Sequence, residues 1–66
     1  MNNFIKLDVA IDLISDEISQ VNEKYNDTKE ERYNLELNEL LNKREEIYNG
    51  NINIINEVMN TYETRL

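Results

Sequence analysis

The sequence predicts an all-α fold: an antiparallel helical hairpin, about 4–25 and 28–49, with a third C-terminal helix at about 52–65, closing a small three-helix bundle. Three observations predict it. Apolar residues recur at helical spacing along most of the chain. Proline is absent, and the single glycine, Gly50, sits between two such runs. Polar turn residues gather at 26–28 and again at 49–51. Sixty-six residues make one small helical domain, 1–66.

Helix 1 follows from Phe4, Leu7, Ile11, Ile14, Ile18, Val21 and Tyr25, which alternate gaps of three and four. This is a coiled-coil-like heptad seam kept for three heptads, and with Ala10 it fills an arc of about 120°. A second apolar stripe, Ile5, Val9 and Leu13, lies away from that seam and only in the N-terminal half. A helix that is apolar on two sides is covered on two sides. The first half of helix 1 should therefore have two packing neighbours and the second half one.

The first turn is expected at 26–28. Asp27 with Glu30, or Thr28 with Glu31, has the spacing of a capping box, and Asn26 tolerates the left-handed conformation that ends helices. The next segment offers Tyr33, Leu37, Leu40, Leu41, Ile47 and Tyr48 as one face, with Leu35 off it. Two helices of similar length joined by a short turn fold back as an antiparallel pair.

Asn49-Gly50-Asn51 has two readings. Gly50 can end a helix as its C′ residue and Asn51 can cap the next one. Against this, Ile52, Ile54, Ile55, Val58, Met59, Tyr62 and Leu66 continue the preceding azimuth, and one glycine inside a helix costs only about 1 kcal/mol. The stripe on helix 1 favours the turn, because a third helix running beside residues 4–18 would cover it. The alternative is a two-helix hairpin with one long second helix, 28–65, dimerising into a bundle, so that a second protomer covers the stripe.

Composition narrows the function. The chain has no Cys and no His, which removes thiolate nucleophiles, disulfides, imidazole bases and zinc fingers. No enzyme activity, cofactor or metal site is expected. Fourteen acidic residues against seven basic give a net charge of −7, so direct nucleic-acid binding is not expected either. No apolar run is long enough to span a membrane and no leader pattern opens the chain, so the expected location is cytoplasmic. Twelve asparagines and one alanine suggest an AT-rich, bacterial coding sequence.

Two surfaces attract functional interest. Asp8, Asp12 and Asp16 stand four apart, with Glu23 near the same azimuth, in an acidic stripe that weakens the helix by about 0.2–0.5 kcal/mol per like-charge pair. A solvated acidic face explains it most simply; a basic partner is the functional reading. The candidate interface residues are Ile5, Val9, Leu13, Tyr33, Tyr48 and Tyr62. All four tyrosines, Tyr25 included, fall on the predicted buried faces, where a ring with a polar tip suits a core edge or an interface. Arg44 falls within the apolar arc of the second segment, either paired with a carboxylate of helix 1 or of a second chain, or lying along the seam edge with its head outward. A chain this short buries little core, which favours association. The expected function is that of a small acidic, non-enzymatic protein–protein interaction module, a homo-oligomer (dimer) that also binds another protein. The alternative is an acidic mimic of nucleic acid that inhibits a DNA- or RNA-binding protein.

Overall fold

A computed structural model describes residues 3–62, with side chains from residue 6 onward. It contains three helices: α1, Asn3–Thr28; α2, Glu31–Tyr48; and α3, Ile52–Tyr62. They form a small three-helix bundle in which α1 packs against both α2 and α3, while α2 and α3 touch less. The Cα envelope measures 41 × 23 × 14 Å. Among the described residues, no helix is long and apolar enough to cross a membrane.

The first turn lies later than the capping signals suggested. Asn26, Asp27 and Thr28 stay helical, and Lys29 N–H donates to Tyr25 C=O at 2.7 Å. Thr28 Oγ1 donates to Lys24 C=O (2.9 Å) and accepts from Glu30 N–H (3.2 Å), so its hydroxyl closes α1 instead of opening α2. Glu30 precedes α2 in extended conformation without a side-chain cap, because its carboxylate turns to Arg32. Lys29, not Asn26, takes the left-handed conformation, at φ 58°. Its ammonium sits 5.6 Å from the Tyr25 ring centroid, a cation–π contact at the turn.

The second turn is built as its residues predict. Gly50 has φ 82°. Gly50 N–H donates to Ile47 C=O (2.9 Å) and Asn51 N–H to Glu46 C=O (3.0 Å), the paired bonds of a Schellman motif. Asn51 then caps α3: its Oδ1 accepts from Asn53 N–H (3.1 Å) and Ile54 N–H (3.4 Å). Its Nδ2 donates back to Glu46 Oε2 at 2.8 Å, tying cap to preceding helix.

Eight apolar residues form the core: Ala10, Leu13, Ile14 and Val21 from α1, Leu40 and Ile47 from α2, Ile55 and Val58 from α3. Leu7, Val9, Ile11, Ile18, Tyr33, Leu37, Ile54, Met59 and Tyr62 pack half-buried around them. No polar or charged residue is buried among those described. Of the second stripe of α1, the C-terminal end is buried within the chain. Leu13 is only 7% exposed and Val9 is half-buried, whereas the Ile5 side chain lies outside the described residues. At 1.5 Å per residue α3 is about 16 Å long and α1 about 39 Å, so α3 spans less than half of α1. That matches a stripe confined to the N-terminal half.

The apolar face of α2 is narrower than its sequence pattern. Leu40 and Ile47 are buried, but Leu41 is 41% exposed and Tyr48 63%. Leu40 and Leu41 are consecutive, hence 100° apart, and only one can face α1 and α3. Tyr48 shares the meridian of Leu41, seven residues on. It therefore departs from the buried position expected for all four tyrosines.

Candidate interaction surfaces

One flank of α2 carries apolar side chains that nothing in the monomer covers. Lys43 Nζ meets Glu57 Oε1 at 3.2 Å, which shows that α3 lies on the Lys43 side of the Leu40–Ile47 line. Leu41 and Tyr48 lie on the other side of that line, away from α3. Leu37 and Arg44, both half-buried, run between the buried line and the exposed one. The hairpin turns at Lys29–Glu30, so Ser15 is roughly level with Arg44 and Asn22 with Leu37. Across this stretch the neighbouring edge of α1 shows Ser15, Ser19 and Asn22, and Asp8 and Asp12 continue the same edge near the level of Tyr48.

Arg44 has no carboxylate partner among the described residues, and neither has Glu45 a cationic one. The two flank the Leu41–Tyr48 line on opposite sides, each about 50° from it. Within one chain, Arg44 therefore lies along the edge of the seam and makes no salt bridge to α1.

The acidic stripe is fully on the surface. Asp8, Asp12, Asp16 and Glu23 are all exposed. Asp16 accepts a hydrogen bond from Gln20 Nε2 at 2.9 Å. Beside the stripe runs a shallow groove lined by Val9, Asp12, Leu13 and Asp16, with an apolar floor between two carboxylates. Among the described residues no cluster of acidic side chains is arranged to hold a metal ion.

A third surface was not visible in the sequence. Arg32 Nε donates to Glu30 Oε2 (3.0 Å), and its Nη2 donates to Tyr33 Oη (2.9 Å). The guanidinium carbon is 4.6 Å from the Tyr33 ring centroid. The hydrogen bond it donates to Glu30, together with that carboxylate's charge, raises the Arg32 pKa further above its already basic value. This cluster edges a depression formed by Tyr33, Leu35, Glu36 and Glu39 at the N-terminal end of α2. The adjacent positions 30, 32 and 33 could only be recognised as one group once Glu30 was seen to be extended.

No protein-family model, curated protein or solved structure matches this chain. The functional reading therefore stands on these surfaces. Of the candidate interface residues, Leu13 is enclosed in the core and Val9, Tyr33 and Tyr62 are half-buried. Tyr48 alone among them is exposed as a large ring, and its companion is Leu41, which the candidate set did not include.

Proposed function

We propose that this protein is a small, non-enzymatic helical interaction module that self-associates through the Leu41–Tyr48 flank of α2. The observation that carries the reading is the exposure of both side chains on one meridian of α2, with nothing in the monomer covering them. A leucine and a tyrosine ring left in water side by side favour association over solvation. The eight-residue core is closed by the chain's own third helix, so self-association here serves binding and does not complete the fold. Sedimentation equilibrium from about 10 to 500 μM tests it. The expected result is a mass rising above 7.9 kDa with concentration. A monomer throughout contradicts self-association.

A second reading has its own observation. Asp8, Asp12 and Asp16 present exposed carboxylates at a rise of about 6 Å per step along α1, a regular negative line that a phosphate-binding protein could accept. Replacing all three with Asn removes the line without touching the core. A basic nucleic-acid-binding partner should then lose affinity; unchanged binding would dismiss the mimic.

A further inference from the structure

Resting on the self-association reading, we infer which second molecule the α2 flank takes and how it sits: a second copy, with the two α2 helices side by side and running in the same direction. Leu41 and Tyr48 of each copy meet their counterparts, and Arg44 of each faces the partner's Glu45.

Three observations lead to this arrangement. Two of the three exposed large apolar side chains of α2, Leu41 and Tyr48, stand seven residues apart on one meridian, the repeat of a helix–helix seam, while Leu35 lies off it. Arg44 and Glu45 border that meridian on opposite sides at the same level, and neither has an ion-pair partner among the described residues. A two-fold interface must be self-complementary. A two-fold axis parallel to α2 brings the positive flank of one helix against the negative flank of the other, twice. An antiparallel pair would set like flank against like flank, Arg44 side to Arg44 side, and leave both charges uncompensated. The orientation is thus selected by charge, while Leu41 and Tyr48 provide the apolar contact.

The seam is short, about one and a half heptads of apolar contact, and both copies carry −7. The association is accordingly weak and reversible, well below the strength of an obligate dimer with its larger buried area.

Charge reversal tests the pairing separately from self-association as such. Arg44→Glu changes the net charge to −9 and Glu45→Arg to −5. Each variant alone sets like charges across the seam and should weaken dimerisation about tenfold or more, although Glu45→Arg lowers the overall repulsion. The double variant, again at −7, should return to wild-type strength. Mixing the two single variants should give a heterodimer stronger than either homodimer, since each then offers the charge the other lacks. Sedimentation equilibrium reads the wild type, the three variants and the mixture, and far-UV circular dichroism checks that each variant folds. Should Arg44→Glu fail to fold, the sign of the Glu45→Arg effect decides alone. Stronger dimerisation by Glu45→Arg, or a double variant that does not recover, overturns this pairing and leaves self-association standing. A wild-type monomer at every concentration overturns both.

Discussion

Replacing Gly50 by Ala separates the three-helix bundle from a long continuous second helix by the sign of its effect. Gly50 sits at φ 82°, and a Cβ built there meets nothing within 4 Å. No clash contributes, so the cost is backbone conformation alone. An alanine held in the left-handed region loses about 1–2 kcal/mol relative to glycine. Were residues 28–65 one helix, the same substitution would remove a helix-breaking glycine and add about 1 kcal/mol of stability. Unfolding of a 66-residue chain carries an entropy of about 140 cal/mol/K, so 1 kcal/mol moves Tm by about 7 °C. Thermal unfolding followed by circular dichroism, at one fixed concentration to hold association constant, should show a fall of about 7 °C or more. A rise in Tm would refute the turn and, with it, the coverage of Leu13 by α3.

Other consequences are simpler to state. Asn51→Ala removes the acceptor for two N–H groups and the link to Glu46, and should cost about 1 kcal/mol in urea denaturation; no change would mean that α3 is capped otherwise. Ile14 is fully buried, so Ile14→Ala should cost about 3 kcal/mol, a large part of the stability of so small a domain, whereas Leu41→Ala should cost the monomer under about 0.5 kcal/mol yet weaken dimerisation. Equal destabilisation by the two would contradict the assignment of core and surface. Salt should strengthen self-association. Treated as point charges about 20 Å apart, two copies at −7 repel by roughly 5 kcal/mol at 0.01 M ionic strength and roughly 1 kcal/mol at 0.15 M. At least a tenfold gain is expected between those conditions. Binding of the Asp8–Asp16 line to a basic partner would weaken over the same range.

The helical class and the three-helix order were legible because both signals are local and redundant. The seam of α1 places seven apolar residues over three heptads, and Gly50 with Asn51 carries the chemistry of a helix end and a helix start side by side. The second stripe on α1 also foretold a second neighbour: α3 packs on α1 beside α2, and Leu13 is in the core. The first turn was less legible. Thr28 can cap the helix after it or close the one before it, and only the hydrogen bond to Lys24 C=O shows which. Similarly, the pattern of α2 offered Leu40, Leu41, Ile47 and Tyr48 as one face, while α1 and α3 cover a narrower arc. Which pair remains outside depends on where α3 returns, a tertiary fact set by the packing of Ile55 and Val58 into the core and marked on the surface by the Lys43–Glu57 contact. Isolated exposed apolar groups are common on folded proteins; Leu41 and Tyr48 gain meaning from sharing a meridian bordered by Arg44 and Glu45.

The most direct measurement of where copies meet is a dilution series of amide nitrogen–proton spectra from about 1 mM to 20 μM. Shifts that change with concentration should centre on Leu37, Leu41, Arg44, Glu45 and Tyr48, with Val9, Leu13 and Asp16 unmoved. Spectra that do not change on dilution, or changes centred on Val9 and Leu13, would contradict the account.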